Sequence, residues 1–311
     1  MYSIKIMPSQ KRAFSFIFVQ TKFMEQDIRI DSYAKINVGL KIVSKREDGF
    51  HNIETIFYPI KLHDEIQISI EPHENYNSVY ITCNKYYVPS NKENICFKAV
   101  EAFFKNFHIV DTYKIAINIS KKIPVGGGLG GGSSDAAAVL KHLIKFFKID
   151  IKEHRKKIME TALSIGSDVP FFLIMKPCFG EGRGEKMKIL PDFIIPYDIL
   201  IINPNLHVST KWAYENLGLE TGKEYPSELK NISSFDLDRK ELFINDFERV
   251  VFQKYSTLKN IKDELLNQGA VFASMSGSGA TMYAFFKKDE KKFLNRAYRF
   301  FKEREYFVFI S

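Results

Sequence analysis

The chain has 311 residues, 45% of them hydrophobic and 26% charged, with a formal net charge of +8. This composition predicts one or two globular domains with a sizeable core and excludes disordered and fibrous classes. The dense basic run Lys152–Lys157 (KEHRKK) is typical of a solvated helix face. The positive charge therefore favours a phosphorylated small molecule, and not a nucleic acid, as the partner.

Three cysteines stand far apart in the sequence, at Cys83, Cys96 and Cys178. They form no CxxC pattern, so neither a disulfide framework nor a zinc site is predicted, and a reducing cytoplasm fits. No apolar run approaches the length of about 18 residues that a membrane-spanning helix needs, so no membrane association is expected.

The N-terminal segment 1–27 carries Lys and Arg but no acidic residue before Glu25. A targeting segment has that character. However, the apolar patch Phe14–Val19 is short and interrupted by Ser15, and no small-residue cleavage site follows it. The simpler interpretation is an N-terminal extension, or a start codon assigned too early with Met24 as the true first residue.

From residue 28 the first half of the chain contains strand patterns near its start and helix patterns mostly later. The predicted strands are Ile28–Leu40, Glu54–Ile60, Glu65–Ile70, Val79–Cys83 and Tyr113–Ile119. The predicted helices are Asn94–Phe107, Ser133–Phe147 and His154–Ile165.

A second block begins near Gly180. Its predicted strands are Tyr197–Ile202 and Thr281–Phe286, and its predicted helices are Thr210–Leu217, Asn245–Tyr255 and Leu258–Asn267. Strands come first and helices later within each block, which indicates an α+β fold and not an alternating parallel sheet. The predicted domains are 28–180 and 181–311.

A glycine-rich loop, PVGGGLGGGSSDAA, follows a predicted strand and opens a predicted helix. Six of the 17 glycines lie between Gly126 and Gly132. Glycine loses the most backbone entropy on folding, so such a run indicates close approach to a ligand or positive φ. Ser133, Ser134 and Asp135 are good N-cap residues. Because a helix N-terminus offers free amides and a positive dipole end, the expected ligand is a phosphate chain.

Three interpretations of this loop are open on its residues alone. A structural turn is the weakest, given the density of glycine. Gly126, Gly128 and Gly131 satisfy the GxGxxG pattern of dinucleotide folds, with Asp150 at about the spacing of a ribose contact. That acid should end a second parallel strand, but here it follows a predicted helix. A kinase phosphate loop is the third interpretation, and the Walker lysine is absent, so a lysine must come from elsewhere.

Four segments in order along the chain resemble the GHMP kinases, the family of galactokinase, homoserine kinase, mevalonate kinase and phosphomevalonate kinase. One of the four is the glycine loop. The others resemble the branch whose acceptor carries a cytidine diphosphate: SYAKINVGLKIVSKREDGFHNIETIF at 32–57, IGSDVPFFL at 165–173 and SMSGSGATMYAFF at 274–286. The resemblance runs from about Ile28 to the C-terminus and leaves 1–27 outside it.

The resemblance implies the two-domain GHMP kinase fold. A ribosomal S5-like N-terminal domain would carry ATP, a ferredoxin-like C-terminal domain would follow, and the substrate would lie in the cleft between them. The implied activity is transfer of phosphate from ATP, with Mg²⁺, to the 2-hydroxyl of 4-diphosphocytidyl-2-C-methyl-D-erythritol in the non-mevalonate isoprenoid pathway. The protein would be a monomer or a homodimer, without a nucleic acid or membrane partner.

Catalysis falls, by the resemblance, to Asp168 in GSDVPFF and Lys35 in SYAKIN. Out of context Asp168 would be a cap or turn residue, but its apolar neighbours predict a buried, partnered carboxylate. Phosphoryl transfer needs a group that orients and deprotonates the attacking hydroxyl, which is the role implied for Asp168. Lys35 would stabilise the ionised carboxylate and offset charge on the transferred phosphoryl group.

The cytidine end of the substrate would contact the turn that contains Phe50 and His51. His51 would pair with the cytosine edge, and Phe50, where the family more often has Tyr, would offer a flat face. Tyr214 would stack across the ring, because stacking on a base needs only a π-face. Asn37 shares a strand face with Lys35 and is a predicted polar contact of the substrate.

The nucleotide end would be bound by the glycine loop together with Asn94 and Lys121, which match positions that line the family's nucleotide pocket. Ser134 is the expected hydroxyl near Mg²⁺, which neutralises the β- and γ-phosphates. The segment Ser276–Gly279 would pack near the loop. The predicted phosphate cradle comprises Pro124, Val125, Gly126, Gly127, Gly128, Leu129, Gly130, Gly131, Gly132, Ser133 and Ser134.

Three other functions fit these residues less well. Another GHMP acceptor, such as mevalonate, homoserine or a sugar, carries no base to stack on Phe50 and Tyr214. A nucleotide-binding regulator without catalysis would have no need of both Lys35 and Asp168. An NAD(P)-binding protein is disfavoured by the order of the predicted strands.

Overall fold

The computed structural model describes residues 28–311, so the predictions for 1–27 lie outside the described residues. The strands are β1 (Ile28–Lys45), β2 (His51–Pro72), β3 (Ser78–Cys83), β4 (Tyr113–Ser120), β5 (Cys178–Gly182), β6 (Lys186–Ile189), β7 (Asp198–Asn203), β8 (Phe272–Met275), β9 (Met282–Phe286) and β10 (Phe307–Ile310). The helices are α1 (Ile95–Phe107), α2 (Gly131–Phe146), α3 (Arg155–Ile165), α4 (Val169–Ile174), α5 (Thr210–Glu215), α6 (Glu248–Lys254), α7 (Ser256–Asn267) and α8 (Lys291–Lys302).

The first sheet is built around the long strand β2. Its order is β3-β4-β2-β5-β6, and β1 also pairs with β2 along most of its length. β3 and β4 are parallel and the other pairs are antiparallel. β2 pairs with β5 over Ile53–Phe57 and with β4 over Glu65–Pro72. This one strand therefore connects the two halves of the sheet.

The sequence predicted two strands, Glu54–Ile60 and Glu65–Ile70, where the structure has the single strand β2. The stretch between the two predicted strands, KLHD at 61–64, contains charged residues. Asp64 in that stretch is nevertheless fully buried, and it accepts hydrogen bonds from the backbone N–H groups of Lys122 and Ile123. Because its carboxylate is partnered, the strand continues through it.

Four helices, α1 to α4, form a core with one face of the first sheet. α1 begins after Asn94, whose side chain accepts a hydrogen bond from the backbone N–H of Cys96 at 2.8 Å, as an N-cap residue does. The sequence did not predict α4, which starts directly after Asp168 and has Pro170 in its first turn. Its brevity, six residues, leaves little periodicity to detect.

The second sheet has the order β10-β7-β9-β8, with every pair antiparallel. Counted within this domain the order is 4-1-3-2, with helices in the connections, which is the ferredoxin-like arrangement that the resemblance implied. A third core joins the two sheets: Ala34, Ile36 and Val38 of β1 pack with Ile201 of β7 and Tyr283 of β9.

The first sheet does not end at residue 180, the predicted domain boundary. β5 spans that position and β6 follows it, and both extend the first sheet because β5 pairs with β2. The first strand of the second sheet begins at Asp198. Within residues 28–311 there is no helix with the length and apolar character to cross a membrane.

Candidate active site

The glycine loop takes a conformation that other residues would not tolerate. Gly130 is the N-cap of α2 with a φ of 71°, and Gly128 has a φ of 78°. These angles lie in the left-handed region, which favours glycine. A Cβ on Gly128 would also collide with the carbonyl oxygen of Ser276. α2 consequently begins at Gly131, and the predicted cap residues Ser133, Ser134 and Asp135 lie inside the helix.

A second segment holds this loop in place from the other domain. The hydroxyl of Ser276 donates to the carbonyl of Gly128 at 2.9 Å, and the N–H of Thr281 donates to the carbonyl of Gly127 at 3.2 Å. Asn245 donates to the carbonyl of Gly277 at 2.7 Å. The Ser276–Gly279 segment therefore packs against the loop, as predicted.

A cavity of about 390 Å³ opens between the loop and the start of α1. The amides of Gly131, Gly132 and Ser133 occupy the first turn of α2, where no intrahelical acceptor exists. The predicted residues that line the cavity are Asn94, Lys121, Pro124, Val125, Gly126, Gly127, Gly128, Gly130, Gly131, Gly132 and Ser133. Leu129 does not join them, because its side chain is fully buried in the core.

Lys121 lies in a buried network of charges behind the loop. Its ammonium contacts the carboxylate of Asp64 and lies 2.8 Å from that of Asp135, and Asp135 also accepts from the hydroxyl of Ser32 at 2.9 Å. Burial raises the pKa of Asp135 to about 7, against the opposing charge of Lys121. Burial alone would lower the pKa of Lys121, but Asp135 and Asp64 outweigh it and raise that pKa.

Ser134 does not face the cavity as the sequence predicted. Its hydroxyl donates to the carbonyl of Tyr33 at 2.6 Å and accepts from the hydroxyl of Ser32 at 2.7 Å, and the residue is buried. The helix turns Ser134 toward β1, because α2 starts before the serines. Ser133, and not Ser134, is among the residues that line the cavity.

Lys35 and Asp168 meet beside the loop. The ammonium of Lys35 lies 3.5 Å from a carboxylate oxygen of Asp168 and 3.2 Å from the carbonyl of Gly128. The Lys35 side chain is 5% exposed and that of Asp168 31% exposed. Lys35 is thus fixed from several sides, while the carboxylate stays accessible from the cleft.

Asn37 is buried next to Lys35 and is not open to the cleft. Its Oδ1 accepts from the Lys35 ammonium at 2.6 Å, and its Nδ2 donates to the hydroxyl of Thr55 at 3.0 Å. The hydroxyl of Thr55 in turn donates to the carbonyl of Gly39 at 2.6 Å. The predicted substrate contact is therefore a buried side chain whose polar atoms already bond to protein groups.

A second cavity, of about 520 Å³, brings together Phe50, His51 and Tyr214. The rings of His51 and Tyr214 stack at 4.4 Å with an interplanar angle of 19°. Phe50 is 50% exposed, with the guanidinium of Arg183 4.7 Å from its ring centre. His51 itself covers one face of Tyr214, so the three predicted residues form a wall of stacked and exposed rings.

The imidazole of His51 has an unpaired atom. Its Nε2 is buried and has no hydrogen-bond partner among the described residues. Burial lowers the pKa of His51 and the charge of Lys45 lowers it further, so the ring is neutral near pH 7. An orphaned polar atom in a cavity wall indicates a bond that a ligand completes.

Other residues of the two cavities were not predicted from the sequence. Ser32, Asp64 and Asp135 lie behind the glycine loop. The second cavity, named the base-side cavity, is also lined by Lys45, Ser167, Arg183, Thr210 and Lys211. Asp64 could have been recognised from the sequence, because it is a charged residue inside the strand pattern of β2. For Arg183 the signal was the Gly-Arg-Gly sequence of a tight turn between β5 and β6.

Comparison with protein families agrees with this geometry. Residues 94–176 match the GHMP kinases N terminal domain, and residues 228–303 match the GHMP kinases C terminal domain. The first match contains the glycine loop and Asp168. The second contains the segment that supports the loop.

Curated relatives cover most of the chain. A 4-diphosphocytidyl-2-C-methyl-D-erythritol kinase of Bacteroides thetaiotaomicron is 40% identical over 256 residues, which are 82% of this chain and 91% of that protein. The enzyme of the same name from Prosthecochloris aestuarii is 37% identical over 270 residues, which are 85% of this chain and 91% of that protein.

Solved structures give the same grouping. The crystal structure of a 4-(cytidine 5'-diphospho)-2C-methyl-D-erythritol kinase superimposes with a TM-score of 0.71 and 26% identity, covering 91% of this chain and 98% of the other. The mevalonate kinase of Methanococcus jannaschii has a TM-score of 0.60 at 17% identity over 92% of this chain and 98% of its own, and shares the fold alone. The chain belongs to the GHMP kinase family, among the 4-diphosphocytidyl-2-C-methyl-D-erythritol kinases.

Proposed function

We propose that the protein transfers the γ-phosphoryl group of ATP to the 2-hydroxyl of 4-diphosphocytidyl-2-C-methyl-D-erythritol, giving the 2-phosphate and ADP. The observation that carries this proposal is the position of the Lys35–Asp168 pair. Lys35 bonds to Gly128 of the nucleotide cavity, and Asp168 follows Ser167, which lines the base-side cavity. The pair lies where a donor in one cavity and an acceptor in the other would meet.

Asp168 is the proposed base. In the transfer, the acceptor oxygen forms a bond to the γ-phosphorus, the bond from that phosphorus to the β–γ bridging oxygen breaks, and ADP leaves. The hydroxyl proton passes to the Asp168 carboxylate, which is open to the cleft. A positioned carboxylate accelerates such a step by about 10²- to 10⁴-fold.

Lys35 is proposed to orient that base and to offset charge on the transferred group. Its ammonium is held by Asn37 and Gly128 as well as by Asp168, so it needs no rearrangement during the reaction. A fixed positive charge in a buried position stabilises the developing charge more than a mobile one in water would. Asn37 acts in this proposal through Lys35 and not by touching the substrate.

The phosphates of ATP are proposed to bind the first amides of α2 and the glycine loop, where the helix dipole favours an anion. Asn94 and Lys121 would shape this cavity from behind, since both are bonded to protein groups. Mg²⁺, when bound, would neutralise the β- and γ-phosphates. The lining includes Ser133, Glu93 and Asp135, and Asp135 already bonds to Lys121 and Ser32. So small a set of free oxygen donors fits an ion that takes most ligands from phosphate and water.

The cytidine is proposed to occupy the base-side cavity. The exposed face of Phe50 and the ring of Tyr214 offer stacking surfaces. The unpaired Nε2 of the neutral His51 would complete its hydrogen bond with the edge of the base. Mevalonate, homoserine and sugars would leave these three rings without a partner.

ADP release from purified protein tests this function directly. The protein is given ATP and Mg²⁺ with the cytidine acceptor, mevalonate, homoserine or galactose in separate reactions. Turnover with the cytidine acceptor alone is the expected result. Turnover with one of the other acceptors and none with the cytidine compound would contradict the proposal. A cytoplasmic location, a monomeric or homodimeric state and the absence of nucleic acid partners stay predictions of the sequence.

A further inference from the structure

A third cavity, of about 670 Å³, lies among α2, α3 and α4 on the helical layer. Seven apolar side chains line it, and four basic residues do so as well. The apolar residues are Ile144, Ile149, Ile151, Ile158, Met159, Leu173 and Ile174, and the basic residues are Lys141, Lys145, Lys148 and Arg155. Its volume is within the range of about 300–1,000 Å³ typical of small-molecule sites.

The charges of this cavity have one sign. No acidic residue lines it, and within residues 28–311 none of its four basic side chains forms an ion pair or a side-chain hydrogen bond. Nearby Lys156, which is outside the lining, does pair with Glu160. The exposed carboxylate of Asp150 is also near, but it accepts from the backbone N–H groups of Lys152 and Glu153. Convergent positive charges without a counter-charge attract an anion.

The apolar floor restricts what that anion can be. Ile158 is buried, whereas Ile151 is 64% exposed at the rim, so a ligand would cover apolar surface that water now contacts. A small inorganic anion would leave this surface wet, and a neutral apolar molecule would leave the four positive charges without a partner. A chain with a phosphate at one end satisfies both parts of the lining.

The cavity is separate from the proposed active site. None of its lining residues lines the nucleotide cavity or the base-side cavity. It lies instead toward the carboxyl ends of α2 and α4, whose amino ends carry the glycine loop and Asp168. A ligand here would therefore bind together with ATP and not in its place.

We propose that this cavity, the α2–α3–α4 cavity, is a binding site for a soluble single-chain amphiphile with a phosphate head group. The concave shape of the lining, with basic side chains around it, favours one enclosed chain over the flat contact that a membrane surface would make. The ligand contributes its apolar chain to the isoleucines and its phosphate to the lysines and Arg155.

Isothermal titration calorimetry of the whole protein with decyl phosphate, below its critical micelle concentration, tests the site. Decyltrimethylammonium keeps the chain and reverses the charge, and inorganic phosphate keeps the head without the chain. We expect saturable binding of one decyl phosphate, unchanged by saturating ATP and Mg²⁺ and weakened by salt, with no comparable binding of the other two probes. Displacement by ATP, or equal binding of decyltrimethylammonium, would overturn the proposal.

Two double variants separate the cavity from net charge. Lys145→Glu with Lys148→Glu reverses two charges of the lining, whereas Lys152→Glu with Lys156→Glu reverses two exposed charges outside it. The first pair should weaken decyl phosphate binding about tenfold or more, and the second should leave it within about twofold. Ile151→Ser, at the exposed rim, should weaken the chain contact without unfolding the protein.

Equal losses in the two double variants would show a general charge effect and overturn the site. A phospholipid membrane offers the same chemistry, a phosphate joined to apolar chains. Co-sedimentation with vesicles that contain an anionic phospholipid tests for binding to such a membrane. Binding to such vesicles without binding of free decyl phosphate would assign the surface to a membrane and contradict the proposal. Retained far-ultraviolet circular dichroism in each variant would confirm that the comparison is made between folded proteins.

Discussion

The two ends of the proposed active site are built in different ways. At the nucleotide end the polar groups behind the loop already have partners: Lys121 has two carboxylates, and Ser134 bonds to Tyr33 and Ser32. At the base end Phe50 is half exposed and the Nε2 of His51 has no partner among the described residues. The first end is preorganised by backbone and buried charge, and the second is completed by its ligand.

This difference explains how one fold serves several acceptors. A phosphate chain is the same in every kinase of the family, so a rigid cradle is an advantage, because no ordering cost is incurred when ATP binds. The acceptor changes from one branch to another, and in the proposed function it is met by side chains of the turn before β2, the start of β2 and helix α5. Specificity should therefore reside in Phe50, His51 and Tyr214, while the loop supplies binding common to the family.

The largest expected effect lies at the junction of the two ends. Asp168→Asn keeps the size of the side chain and removes the base, so kcat should fall by about 10²- to 10⁴-fold. ATP should bind with nearly unchanged affinity, because Asp168 does not line the nucleotide cavity. Steady-state kinetics with the cytidine acceptor gives the first quantity and calorimetry the second. A variant with near-normal kcat would remove Asp168 from the mechanism.

Gly128→Ala tests whether the nucleotide end is preorganised. The added Cβ would collide with the Ser276 carbonyl at a φ of 78°, so the loop must shift, and ATP affinity should fall by about tenfold or more. Gly218→Ala is the matched control, since Gly218 has a φ of 67° but no neighbour within 4 Å of a Cβ. It should lower stability by about 1 kcal/mol and leave ATP binding intact. Equal ATP affinity in the two variants would show that the loop is not preorganised.

Tyr214→Ala tests the base end of the site. Loss of a stacking ring should raise KM for the cytidine acceptor by about 5- to 150-fold, which corresponds to about 1–3 kcal/mol, without changing KM for ATP. Tyr214→Phe keeps the ring and should differ from the original protein by less than about twofold. If both variants raise KM for ATP equally, the aromatic wall is a structural element of the cleft and does not select the acceptor.

The last effect is on stability and not on catalysis, and it concerns the buried charges. Burial raises the pKa of Asp135 to about 7, above its ordinary value of 3.8, so the folded protein holds this proton more tightly than the unfolded chain does. That contribution to stability is present at low pH and is lost as the pH rises through about 7. Asp135→Asn cannot titrate. The difference in the free energy of unfolding, original minus variant, should fall from about pH 4 to about pH 7 and level off above that in denaturant titrations, and a constant difference would contradict the assignment.

Local patterns in the sequence were enough for the parts of the fold that depend on near neighbours. The alternation of Tyr113–Ile119 and the spacing of α1 gave these elements nearly to the residue. The glycine loop also identified the nucleotide end, because so many glycines in one run have few other physical explanations. The four-segment resemblance gave the two-domain α+β fold and the branch of the family.

Contacts between distant segments could not be read from the sequence. Asp64 and Lys121 are 57 positions apart, so the ion pair that carries β2 through a charged stretch leaves no local pattern. The same holds for Ser134, whose bonds to β1 follow from the exact start of α2 at Gly131. β5 and β6 were missed because both are short and β5 contains Gly180 and Gly182; β5 is a strand because it pairs with β2, and β6 because it pairs with β5.

Phosphorus NMR of the product is the sharpest test of the proposed reaction, because it reports which oxygen of the acceptor receives the phosphate. The carbon that bears the 2-hydroxyl of the proposed acceptor also bears a methyl group and carries no hydrogen. We expect one new phosphomonoester resonance without proton coupling, with the diphosphate resonances of the cytidine compound retained. A new resonance coupled to protons, or release of inorganic phosphate without a new ester, would contradict it.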